Sequence, residues 1–206
     1  MLRVALTGGI ATGKSYVLDR LRLLGIPCLD ADTLAHGVMA AGTEATSAIA
    51  ERFGDVLDAA GAVDRAKLGP IVFTDPDARR DLERIVHPAV YRAIAAGLRC
   101  FELVGGTPVT VVGIPLLYET GREGDFARVI ATVCAPGLQR ARLGLRGLNP
   151  EAIEARLRAQ LPAEEKARRA DYVVRTDGTF EESDAQVDEV VAALRKAARD
   201  DRPQRT

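Results

Sequence analysis

The octapeptide Gly8-Gly9-Ile10-Ala11-Thr12-Gly13-Lys14-Ser15 constrains this chain more than any other stretch. It follows the pattern G-x-x-x-x-G-K-[ST] and stands in the context that pattern requires. An apolar run, Leu2 to Leu6, precedes it as a buried strand, and a segment of helical period, Gly13 to Leu24, follows it. Glycines there let successive backbone N–H groups turn inward on an anion, and the helix N-terminus adds a partial positive charge. Lys14 then reaches β- and γ-phosphate oxygens, and the Ser15 hydroxyl ligates Mg²⁺. The stretch reads as a phosphate cradle opening an α/β chain.

Beyond it, short apolar runs alternate with longer helical segments, the pattern of parallel strands joined by crossover helices. Further strands are expected at Ile26 to Leu29 (closed by Asp30), Val109 to Val112, Val129 to Val133 and Asp171 to Val174. The first helix returns the chain, so the second strand is expected beside the first. Helices are expected at Thr33 to Ala40, Glu44 to Phe53 and Arg65 to Phe73. Asp75 then caps a long helix with Pro76 in its first turn, reaching about Leu103. A second helical excursion, with starts at Pro136 and Asn149-Pro150, runs to Arg169. The polar tail from Asp200 to Thr206 is expected to fray.

Twenty-eight basic against 29 acidic side chains leave a net charge of −1, so no global field gathers nucleic acid or anionic lipid. No charged-then-apolar leader opens the sequence and no apolar run approaches the ~20 residues of a membrane span; a cytoplasmic protein is expected. Cys28, Cys100 and Cys134 fit neither a disulfide framework nor zinc spacing and read as reduced apolar fillers. A guanine-nucleotide switch is disfavoured. Asp58-Ala59-Ala60-Gly61 matches DxxG by letter but lacks a preceding strand, and none of Lys67, Lys166 and Lys196 sits in an NKxD context.

Two carboxylates, Asp30 and Asp32, close the second strand, where open α/β sheets place ligands. One could meet a Mg²⁺ shell and the other accept a proton from an acceptor hydroxyl; either could instead cap the following helix. In an extended segment both would point the same way. Arg142 and Arg146 lie four apart on one helix and repel unless an anion comes between them. Their planar forks suit a triphosphate, with Arg140 and Arg156 as weaker candidates. His87, before Pro88, either shapes the backbone or meets a ligand.

The chain resembles the dephospho-coenzyme A kinase family from about Arg3 to Arg195. The resemblance rests on LTGGIATGKS, LGIPCLDADTLAH, VDRAKLGPIVFTDPDARRDLERIVHP, IPLLYE and RLRAQLPAEEKARRADYVV. It implies a P-loop NTPase three-layer sandwich with a parallel sheet, a helical substrate lobe and a helical lid. The core is expected at 1–31, 106–135 and 170–199, the lobe at about 32–105 and the lid at about 136–169. The implied reaction moves the γ-phosphoryl of ATP to the ribose 3′-hydroxyl of dephospho-coenzyme A, with Mg²⁺, in a monomer or weak homo-oligomer; another small-molecule kinase or a nucleotide-binding regulator are the rivals. By motif matching Asp32 falls on the catalytic base, Lys14 on the loop lysine and Arg142 on a phosphate-contacting lid arginine. Arg65 and His87 match the substrate lobe. Ile114 to Glu119 should floor the acceptor pocket, with Leu117 and Tyr118 as substrate contacts. Gly8 to Tyr16, Arg142, Arg146 and Thr176 are the expected ATP contacts.

Two departures stand out. Family loops usually read GGIGSGKS followed by a small hydroxyl residue; here Ala11 and Tyr16 intervene, and a Cβ at position 11 is tolerable only where that residue avoids a positive φ. Thr176 stands near where the family commonly places an adenine-side asparagine.

Overall fold

The protein is described by a computed structural model covering residues 1–200. Residues 201–206, most of the tail expected to fray, lie outside the described residues; Asp200 itself ends a helix. The chain divides into two compact units, 1–29 with 101–206, and 30–100.

The first unit is built on strands β1 (Leu2–Gly8), β2 (Cys28–Asp30), β3 (Val109–Gly113), β4 (Arg128–Val133) and β5 (Tyr172–Arg175). Their order is β2-β3-β1-β4-β5. β1 pairs in parallel with both β3 and β4, and β4 with β5. The expectation that the second strand neighbours the first is corrected: β3 lies between them, and the Val111 N–H donates to Pro27 O at 3.0 Å. Five consecutive buried residues let β3 take an interior place, whereas three half-buried residues suit β2 to the edge.

Side-chain alternation makes the layers. Val4, Leu6, Ile130 and Val174 pack on one face with Val17, Leu18 and Leu21 of α1 (Lys14–Leu23) and with Val187, Val191 and Leu194 of the last helix, Phe180–Asp200. Ala131 and Val133 turn to the other face, against Ala163 and Ala167 of a helix at Ala163–Arg169.

The second unit is helical: α2 (Ala31–Val38), α3 (Glu44–Phe53), α4 (Arg65–Thr74) and α5 (Pro76–Val104). Thr43, Asp64 and Asp75 cap the last three, Asp75 Oδ1 accepting the N–H groups of Asp77 and Ala78 at 2.8 and 3.2 Å. α5 continues through Pro88, so the His87-Pro88 pair does not break the helix. Val86, Ala89 and Val90 are buried beside it, and this packed face outweighs the lost hydrogen bond. The DxxG look-alike is a turn: Asp58 Oδ1 accepts the N–H groups of Ala60 and Ala62 at 2.9 and 3.0 Å. No helix among the described residues is long and apolar enough to cross a membrane.

The helical excursion of the first unit comprises α6 (Pro136–Leu145), α7 (Pro150–Arg158) and α8 (Ala163–Arg169); the final helix is α9. The cysteines are free, but Cys100 is exposed, so the filler reading fails there.

Candidate active site

β1 delivers the glycine-rich loop at the end of the sheet, and α1 begins at Lys14. A Cβ at Gly8 would collide with the hydroxyls of Thr12 and Thr132, which close the loop from below. Gly13 takes a φ of 84° as the N-cap of α1, a left-handed conformation that favours glycine. The first bond of α1 runs from Val17 N–H to Gly13 O, so by helix geometry the N–H groups of Lys14, Ser15 and Tyr16 precede the intrahelical ladder and suit an anion. Lys14 Nζ lies 3.4 Å from where a Cβ on Gly113 would stand, placing the amine over the end of β3.

The loop departs from expectation in two ways. Ala11 does adopt a positive φ, 61°, which costs a non-glycine residue roughly 1–2 kcal/mol. Burial against Leu143 and Ile153 offsets that cost, because its methyl group fills a cluster between α6 and α7. Nor do all the loop's N–H groups turn toward a phosphate. Thr12 donates both its N–H and its hydroxyl to Gly9 O, at 3.2 and 2.8 Å, and Ile10 N–H donates to Gln160 Oε1 at 3.0 Å.

Arg142 comes to the loop from α6. Its Nη1 donates to Ala11 O and to Thr176 Oγ1, each at 3.1 Å, and its Nη2 to Thr176 O at 2.7 Å. Thr176 in turn donates its hydroxyl to Thr12 O at 3.0 Å, so that hydroxyl proton serves the loop and not a base. Arg142, Arg146 and Thr176 line a cleft of about 400 Å³ with Ala11, Gly13 and Tyr16. Its far wall is aromatic. Tyr16 and Phe180 meet with ring centroids 4.8 Å apart, and the Tyr16 hydroxyl donates to Asp184 Oδ1 at 2.7 Å, which holds that phenol above its ordinary pKa. Phe180 is 69% exposed, an apolar surface offered to the cleft.

Other expected residues fall differently. Arg140 is committed to Glu154 at 2.6 Å, joining α6 to α7. Leu117 has no exposed surface and fills the core, and Tyr118 is nearly as buried, with Arg169 4.1 Å over its ring. In the second unit Asp30 caps α2 by accepting the Asp32 N–H at 3.0 Å. Asp32 is exposed in the first turn of α2. The two carboxylates therefore do not share an extended segment, because the helix begins at Ala31. Arg65 is exposed at the start of α4, and His87 is half-buried in α5.

With this geometry in hand, comparison settles the family: the dephospho-CoA kinase model matches residues 2–182. The chain belongs to the dephospho-CoA kinase family. A dephospho-CoA kinase of Anaeromyxobacter dehalogenans is 45% identical over 93% of this chain and 92% of its own length. A crystal structure from Thermus thermophilus superposes with a TM-score of 0.79 at 34% identity, covering 94% of this chain and 97% of that one. The dephospho-CoA kinase from Campylobacter jejuni gives a TM-score of 0.71 at 26% identity, covering 95% and 98%. Membership fixes the P-loop nucleotide-binding architecture and the phosphotransferase class.

Sequence reasoning passed over Gln139, Gln160, Phe180, Lys166 and Asp184. Gln160 and Lys166 stand inside the family-like segment RLRAQLPAEEKARRADYVV, and Phe180 is one of few aromatic residues in a chain with 4% of them; those were the available signals.

Proposed function

We propose that this chain transfers the γ-phosphoryl group of ATP to the ribose 3′-hydroxyl of dephospho-coenzyme A, giving coenzyme A and ADP. The observation that carries the reading is the glycine loop capped by α1, with Arg142 bound to it, in a member of this kinase family. The triphosphate would lie on the N–H groups that open α1, with its base in the cleft walled by Phe180 and Tyr16.

Phosphoryl transfer asks little covalent chemistry of the protein: it needs alignment and a place for charge on the equatorial oxygens. Lys14 and Arg142 supply that positive charge, Arg142 exchanging carbonyl partners for phosphate oxygens on binding. Asp32 is the proposed base that orients the acceptor hydroxyl; its exposed carboxylate and its motif position support the role. Arg65 and His87 are proposed acceptor contacts.

The donor set suits Mg²⁺. Ser15 is an exposed hydroxyl in the first turn of α1, and a hard ion that keeps phosphate and water oxygens around it needs few protein ligands. When bound, the ion neutralises β- and γ-phosphate charge.

A coupled ADP-release assay tests the reading. ADP should appear with dephospho-coenzyme A as acceptor and not with a panel of nucleosides. Equal release with a nucleoside, or with no acceptor at all, would overturn it.

A further inference from the structure

We propose that Gln139 and Gln160 are positioning residues for phosphate binding, which hold the glycine loop in its anion-receptive shape by gripping both polar groups of Ile10. This rests on reading the loop as the ATP site. Gln160 Oε1 accepts the Ile10 N–H at 3.0 Å, and Gln139 Nε2 donates to the Ile10 carbonyl at 2.7 Å. A backbone N–H can only donate and a carbonyl can only accept, so the two amides must present opposite ends to one residue.

The grip comes from two places in the helical excursion. Gln139 sits on α6 and is 5% exposed; Gln160 sits in the connection between α7 and α8. That connection is anchored in turn, since the Leu161 N–H donates to Glu119 Oε1 at 2.9 Å. Gln139 also backs the preceding residue, because a Cβ on Gly9 would stand 2.9 Å from its Nε2. The following residue is Ala11, held in a left-handed conformation that an alanine leaves readily when nothing opposes it.

Both glutamines line a second cleft, of about 470 Å³, which shares no lining residue with the cleft of Arg142 and Phe180. They therefore act through Ile10, and not by touching a nucleotide in the first cleft. Moving α6 off the loop would break the Gln139 bond and moving the connection after α7 would break the Gln160 bond, so the loop's shape depends on the placement of both.

The opposite polarity of the two bonds supplies the test. Gln160→Glu keeps an acceptor for the Ile10 N–H, whereas Gln139→Glu sets a carboxylate against the Ile10 carbonyl. Both changes preserve size, and both add one negative charge near the loop, so general repulsion of a polyanion is common to them. MgATP affinity is measured by titration calorimetry, with melting temperature as a check on folding. Gln139→Glu should weaken MgATP about tenfold or more, and Gln160→Glu no more than about threefold. Gln160→Leu, which removes the acceptor, should lose about five- to tenfold. The rate at saturating MgATP should change much less than KM, as expected for uniform binding. Equal losses in the two Glu variants, or no loss in Gln139→Glu, would overturn the proposal. Because the readout is MgATP binding, failure of the parent to phosphorylate dephospho-coenzyme A would overturn the functional reading alone.

Discussion

Lys166 Nζ lies 2.8 Å from Glu119 Oε1, and the lysine has no exposed side-chain surface. It also donates to Pro115 O at 2.6 Å, so one ammonium joins α8 to the segment that leaves β3. Burial draws its pKa below the usual lysine value, and the Glu119 hydrogen bond opposes that shift. Removing one member of such a pair strands the other. Lys166→Met should lower stability by about 2–4 kcal/mol, and adding Glu119→Gln should restore part of the loss. Urea unfolding midpoints check this; additive losses would show that the pair is not coupled.

Arg142 is bound to the loop through Ala11 O and Thr176. Arg142→Ala should reduce turnover at saturating ATP by about 10²–10³-fold, and Arg142→Lys should recover little, because a point charge cannot replace a planar fork. An unaltered saturating rate in the alanine variant would remove the arginine from the transition state.

Asp32→Asn keeps the size of the proposed base and removes its proton affinity. The chemical step, measured by rapid quench, should slow by at least about 10²-fold. A rate within a few-fold of the parent would assign the carboxylate another task.

Phe180 offers an exposed ring to the arginine-lined cleft and touches Tyr16. Phe180→Ala should raise KM for ATP by about five- to tenfold with kcat nearly constant, since stacking on the base is the same before and during transfer. A constant KM would place the base elsewhere.

The three thiols should separate by exposure and pKa. Burial pushes Cys28 up to about 12 and raises Cys134 above the usual thiol value, while Cys100 is exposed. Alkylation of the native protein at pH 8 should label Cys100 alone, and unfolding should expose all three, as counted by intact mass. The Cys28 thiol is raised in the folded state, so the unfolded chain ionises first. Its contribution to stability is therefore intact below about pH 9 and is lost as pH rises from there to about 12. A flat urea midpoint across that window would contradict the buried, protonated thiol.

The elements were legible because their signals are local. The cap at Asp75, the proline helix starts and the apolar strands all act within a few residues of chain, and α3 spans the expected Glu44–Phe53. Strand order was not legible. Whether the second strand lies against the first or leaves room for β3 depends on a pairing between residues some eighty positions apart, as the contact of Val111 with Pro27 shows. The long helix expected from Pro76 to about Leu103 forms as Pro76–Val104 with Pro88 inside it, because a helical pattern packed over many residues outweighs one proline's local preference.

By itself the sequence determined a strand, a glycine turn and a helix N-terminus carrying Lys14 and Ser15, the arrangement proposed here as the anion site, because backbone geometry and helix electrostatics are set by neighbours in the chain. Only the tertiary structure decided what surrounds that site: a left-handed Ala11 secured by Leu143 and Ile153, an Ile10 gripped by two glutamines, and an aromatic wall at Phe180. Those contacts join residues more than a hundred positions apart, and which side chains meet across such a distance is fixed by packing and hydrogen-bond satisfaction in three dimensions, not by any spacing along the chain.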